Sequence, residues 1–150
     1  MTNCYFFKYS ITGEETKMKT KTINQKVVIE NSSPEEIYEV LMDSRKHAKL
    51  VDSNAEISRE VNGKFSVYNG YIEGKNIELE PGRKIVQLWR GDEECWPKDH
   101  YSNLTIMLAK TDEGTQLELT QEDVPEECYE GFEKGWYEFY WEPLKKTFNI

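Results

Sequence analysis

Between residues 102 and 121 apolar and polar positions alternate: Leu104, Ile106 and Leu108, then Leu117 and Leu119 on either side of Glu118. A period of two places these side chains on one face of extended strands and leaves the other face to water. Strand-length pieces of similar character precede them in SNAEISREV, KFSVYNG, YIEGKNIELE and KIVQLWRG. Asn62-Gly63, Asn69-Gly70, Pro81-Gly82 and the Asp112-Glu113-Gly114 turn punctuate the series, and connections that short favour antiparallel neighbours. Six strands are predicted, with an apolar face that needs a cover.

An earlier run, KTINQKVVIE at 21–30, predicts one more strand. It ends at NSSPEE, where Ser33 is placed to cap a helix, Pro34 to occupy its first position and Glu36 to close a capping box. Ile37, Val40 and Leu41 recur at helical spacing, and Asp43-Ser44 offers a second cap before RKHAKLV. Two helices therefore follow the first strand.

The period changes again after Glu126. Tyr129, Phe132, Trp136, Tyr140, Leu144 and Phe148 step by three or four residues, while Glu130, Glu133, Lys134, Glu138 and Lys145 lie mostly off that stripe. This long amphipathic helix is the missing cover. Tyr137 and Trp141 fall beside the stripe, which predicts either sheet-edge packing or an exposed patch. Pro143 lacks a backbone donor and crowds the carbonyl of Phe139, so a kink is expected there. Gly131 and Gly135 are expected to let the helix approach the sheet closely, at a cost in helix propensity.

The order β-α-α-β6-α describes one α+β domain over residues 21–150, in which a curved antiparallel sheet wraps a long C-terminal helix. Residues 1–20 lack this patterning and are expected to form an extension, loose or adding one edge strand, with Met18 as a second candidate start.

Composition narrows the partners. A length of 150 residues with 31% charged, 37% hydrophobic and 13% aromatic residues suits a single globular domain, and the aromatic share is what asks for an explanation. The net charge of -9 argues against nucleic acid and against anionic lipid surfaces. No apolar run nears the roughly 20 residues that span a bilayer, so no membrane insertion is expected. Cys4, Cys95 and Cys128 cannot all pair within one chain, and their spacing matches no disulfide framework; reduced thiols in a cytoplasmic protein are the expectation.

GKFSVYNGYIEG, LEPGRKIVQLWR, WPKDHYSNLTIML, LTQEDVP and GWYEFYWEPLKKTF, taken together and in this order, resemble the carboxy-terminal domain of the activator of the ninety-kilodalton heat-shock-protein ATPase. The resemblance runs from about Lys21 to Phe148. It implies the helix-grip fold shared with START lipid-transfer proteins and the birch-pollen allergen, where sheet and helix enclose an apolar cavity. It also implies a heat-shock chaperone as a partner. In the full eukaryotic co-chaperone an additional amino-terminal domain carries much of the ATPase stimulation, and the first 20 residues here do not resemble it. Binding without strong stimulation is the expectation for this chain.

Two readings of the helix–sheet interface stay open. Leu104, Ile106, Leu117 and Leu119 of the sheet, with Phe132, Trp136 and Tyr140 of the helix, either fill a solid core or line a cavity for a small apolar ligand. In the loop GDEECWPKDH at 91–100, Glu93, Glu94, Trp96 and His100 are candidates for a partner-binding rim, against the simpler role of a hairpin loop pinned by Trp96 and Pro97. Asp99 or Glu94 beside His100 does not amount to an acid–base site without geometry, so no catalytic residue is assigned. His47 and His100 are isolated and no CxxC, HxH or HExxH spacing occurs, so neither a metal nor a cofactor is expected.

Overall fold

The computed structural model describes residues 18–149, together with the backbone of Lys8–Tyr9 and Glu15–Thr16. Most of the extension expected at 1–20 lies outside the described residues. Lys8–Tyr9 (β1) and Glu15–Thr16 (β2) pair with each other as a short antiparallel ladder separate from the main sheet.

Thr20–Glu30 (β3) is the first strand of the domain. Its side chains alternate from Ile23 to Ile29 between a buried and a wet face. Pro34–Met42 (α1) begins on a complete capping box: Ser33 Oγ accepts the Glu36 N–H, and the Glu36 carboxylate accepts the Ser33 N–H. Asp43 ends that helix and caps the next, Ser44–Val51 (α2), by accepting the Lys46 N–H at 3.0 Å. Six strands follow: Ala55–Ile57 (β4), Lys64–Val67 (β5), Ile72–Glu80 (β6), Lys84–Gly91 (β7), Ser102–Lys110 (β8) and Gly114–Pro125 (β9). They form an antiparallel meander, and β3 returns to pair with β9, giving the order β3-β9-β8-β7-β6-β5-β4. This is the predicted α+β helix-grip arrangement.

The inner face of this curved sheet carries Ile85, Leu104, Ile106, Leu117 and Leu119, each at most 4% exposed. Above it lies the terminal helix: a 3-10 turn at Glu126–Cys128, then Tyr129–Trp136 (α3), a π-helical turn at Tyr137–Trp141, and Glu142–Phe148 (α4). The π turn changes which rings face inward. In a regular α-helix residues 136 and 141 would point about 140° apart. Here the extra residue in the turn lets Trp136 and Trp141 stack, with centroids 5.5 Å apart and planes 15° off parallel. Trp141, expected beside the stripe, is completely buried, and Tyr137 and Phe139 take the outward positions.

Pro143 finds a place in the same device. The backbone stays helical through Trp141 and Glu142, so Pro143, which lacks an N–H, follows directly on the widened π turn within one continuous helix.

Candidate functional site

Two buried glutamines hold the terminal helix on the sheet. Trp141 Nε1 donates to Gln25 Oε1 at 2.6 Å, and Gln25 Nε2 donates to the Glu133 carbonyl at 2.8 Å. That carbonyl is free to accept because the Tyr137 N–H, its regular helical partner, turns to Lys134 instead. Trp136 Nε1 donates to Gln121 Oε1 at 2.9 Å; Gln121 Nε2 donates to Ser102 Oγ, and Ser102 Oγ donates to the Trp89 carbonyl. Neither indole can turn without leaving a buried polar group unpaired.

Beside this anchored layer a pocket of about 540 Å³ opens to solvent. Phe132, Trp136, Phe139 and Tyr140 of the terminal helix form one wall, and Tyr68, Tyr71, Ile72 and Trp89 of the sheet side form the other. Glu93 and Cys95 of the 92–101 loop, with Glu127 and Cys128 of the 3-10 turn, line one end of it. The two segments are covalently joined, because Cys95 and Cys128 form a disulfide with their Cα atoms 5.7 Å apart. The expectation of reduced thiols fails at this pair: the fold brings together two cysteines whose sequence spacing carried no signal. Cysteine usage therefore no longer points to a reducing compartment.

Gly131 and Gly135 also differ from expectation. A Cβ on Gly131 would meet nothing within 4 Å, and one on Gly135 only Phe139, at 3.8 Å. Both line the pocket, so these glycines leave space open instead of admitting the sheet. Gly91 is the residue that permits close approach, since a Cβ there would lie 2.6 Å from the Phe132 ring.

The turn joining β5 to β6 presents two of the rings. Asn69 and Gly70 both have positive φ, the pattern of a type I′ hairpin turn, and the Tyr71 N–H closes it on the Tyr68 carbonyl. Tyr68 itself is held at φ 57°, a costly conformation for a bulky side chain. Its hydroxyl is buried and has no hydrogen-bond partner. The other two phenols of the pocket are engaged: Tyr71 donates to Glu93, and Tyr140 donates to His47 Nε2 at 2.8 Å. Burial raises the pKa of all three phenols, with the Glu93 hydrogen bond and charge adding to the effect at Tyr71, so each keeps its proton. His47 is buried and its pKa is lowered by desolvation; Nδ1–H donates to the Leu41 carbonyl, which leaves Nε2 as the acceptor for Tyr140.

Of the residues singled out in the sequence, Phe132, Trp136 and Tyr140 lie in the pocket wall. Leu104 and Ile106 face an interior gap of only about 30 Å³, and Leu117 and Leu119 are completely buried in the packed layer. Glu93 stands at the pocket mouth, and Glu94 is exposed outside the lining. Trp96 is 3% exposed and packs against Trp89 and Phe132, so it lies inside the fold and not on its rim. Its indole donates to the His100 carbonyl, and His100 Nε2 donates to the Asp123 carbonyl at 2.7 Å. Among the described residues no group of three or more His, Cys, Asp or Glu is placed to hold a metal, and no helix is long and apolar enough to cross a membrane. Tyr68, Tyr71, Trp89, Glu127 and Phe139 were not singled out for this site. The tyrosines flanking Asn69-Gly70 were the available signal.

Comparison with known proteins gives concordant matches. The family model "Activator of Hsp90 ATPase homolog 1-like protein" matches residues 31–149. A Dictyostelium discoideum protein named "Activator of 90 kDa heat shock protein ATPase homolog" is 35% identical over 134 residues, covering 89% of this chain and 34% of the relative. The Homo sapiens "Activator of 90 kDa heat shock protein ATPase homolog 1" is 28% identical over 118 residues, covering 79% of this chain and 34% of its own. The chain thus spans about a third of the length of these relatives. Among solved structures, an HSP90 activator from Plasmodium falciparum superposes with a TM-score of 0.72 at 24% identity, covering 87% of this chain and 95% of that one. The Aha1 dimer from Colwellia psychrerythraea gives 0.72 at 21% identity, covering 87% and 97%. These structural likenesses speak for the fold.

Proposed function

Since the chain belongs to the family of Activator of Hsp90 ATPase homolog 1-like proteins, whose fold serves binding as readily as catalysis, we propose that it is a non-catalytic domain that holds a small apolar ligand between its terminal helix and sheet. The observation that carries this reading is the 540 Å³ aromatic pocket with an unpartnered hydroxyl, Tyr68, buried at its side. Pockets of this size and lining, with a few polar groups, are what small-molecule sites are built from. The binding surface is the helix residues Phe132, Trp136 and Tyr140 with Tyr68, Tyr71 and Trp89, and the leucine layer below supports it.

Gly131→Leu tests the pocket directly. The new side chain would enter open space, and replacing a mid-helix glycine should raise helix stability by up to about 1 kcal/mol. Titration with N-phenyl-1-naphthylamine, a neutral apolar fluorophore, should show binding to the native protein and loss of binding in the variant, with the urea midpoint equal or higher. Equal binding by both proteins would remove the pocket as the site.

A second reading rests on the names of the curated relatives: the domain associates with a ninety-kilodalton heat-shock chaperone. Tyr137 and Phe139, 39% and 47% exposed on the π turn, with the acidic loop at Glu93 and Glu94, form a surface suited to a protein partner. Charge reversal at Glu93 and Glu94 should then weaken association most at low salt. Weak association without ATPase stimulation equal to that of a two-domain co-chaperone is the expected result, and full stimulation by this chain would refute it.

A further inference from the structure

We infer that the pocket selects an organic cation, an apolar or aromatic body carrying an ammonium group. The inference rests on the pocket reading above and adds the charge of its occupant. The charged side chains in the lining are Glu93 and Glu127, both carboxylates, and no Lys, Arg or His joins them. An anionic ligand would meet two like charges with no neutralising partner, on a protein whose net charge is already -9.

The rings supply the second half of the recognition. Trp136 is fixed in the wall by its indole hydrogen bond to Gln121, Trp89 packs against it with centroids 5.5 Å apart, and with Phe132 and Tyr140 they give the apolar body of the occupant an aromatic wall. Hydrogen-bonding capacity agrees. The Tyr71 and Tyr140 protons are already given to Glu93 and His47, so of the three phenols only Tyr68 has a free O–H, and the charged groups of the lining, the two carboxylates, are acceptors alone. An ammonium group consists of donors and charge alone.

The disulfide sets the orientation. Glu93 is two residues from Cys95 and Glu127 is adjacent to Cys128, so the Cys95–Cys128 bond keeps both carboxylate-bearing segments at one end of the pocket. Both glutamates are exposed there and stay solvated while the pocket is empty. The ammonium group belongs at that mouth, and the apolar body points into the space left open beside Gly131 and Gly135.

A matched set of probes reads the charge at constant shape: 1-naphthylmethylammonium, 1-naphthylmethanol and 1-naphthylacetate, titrated calorimetrically into the whole protein. The ammonium should bind about tenfold tighter than the alcohol, and the acetate weakest. In the Glu93→Gln, Glu127→Gln double variant the preference for ammonium should fall to about twofold or less, with the alcohol unchanged. Equal affinities for the three probes, or a preference that survives the double substitution, overturn the cation assignment and leave the pocket standing. No binding of any probe, with heats the same as those of Gly131→Leu, removes the pocket and the inference together.

Discussion

Gln25 and Trp141 are joined by a 2.6 Å hydrogen bond across 116 residues of chain, from the first strand of the main sheet to the π turn of the terminal helix. The glutamine works at both ends, since its amide also reaches the carbonyl that the π turn leaves unpaired at Glu133.

Gln25→Met keeps the length of the side chain and removes both hydrogen bonds. The buried Trp141 indole N–H is then unsatisfied and the half-buried Glu133 carbonyl loses its partner, and the expected loss of stability is about 1–3 kcal/mol. Urea denaturation measures it. A midpoint equal to that of the native protein would mean that water enters and replaces the bridge.

Trp141→Ala should cost at least as much as Trp136→Ala, each about 3–5 kcal/mol. A straight helical stripe gives the opposite order, with Trp141 the milder loss. The two urea midpoints decide between a π turn and an uninterrupted α-helix in solution.

The sequence period was enough to place every element of the main sheet and both early helices, because alternation at Leu104–Leu108 and the Ser33 capping box are local signals. The Trp136–Trp141 stack was not legible, because a period of 3.6 assumes a constant number of residues per turn and the π turn breaks that assumption once. The pocket was half legible for a related reason. Helix residues such as Phe132 announce themselves by spacing, whereas Tyr68 and Tyr71 reach the same space through a hairpin turn and Cys95 meets Cys128 only through the folded sheet. The emptiness beside Gly131 had no sequence signal at all, since glycine in a helix marks close packing and open space equally well.

Reduction of the Cys95–Cys128 disulfide should lower stability by about 3–4 kcal/mol, the chain-entropy value for a closed loop of this length, a sequence separation of 33 residues. Urea midpoints with and without dithiothreitol give the difference, and Cys128→Ser should reproduce the reduced protein. Titration of thiols in non-reducing denaturant is the direct check: three reactive thiols would show that the bond does not form.

Stability should fall as the solution is acidified below about pH 6.5, the ordinary value for an unfolded histidine. Burial holds the folded pKa of His47 below that value, so its contribution is complete above pH 6.5 and is lost as the pH falls toward the folded pKa. The slope from this one group reaches at most about 1.4 kcal/mol per pH unit. Urea midpoints at pH 7.5 and 5.5 should differ less in His47→Gln than in the native protein. An identical pH dependence in both would assign the acid sensitivity to other groups.

The pairing of Thr20–Glu30 with Gly114–Pro125 also fixes the order in which the molecule becomes complete. A ribosome releases the first strand long before its partner exists, so for most of synthesis that strand has an unpaired edge and an apolar row from Ile23 to Ile29 with no sheet to join. The β4–β8 meander can assemble from neighbouring hairpins as it emerges, but the sheet closes only when the last strand arrives, and the terminal helix that seals the apolar face comes later still. Until that helix is in place the apolar rows of the sheet have no cover, so the core of the domain is completed late in synthesis.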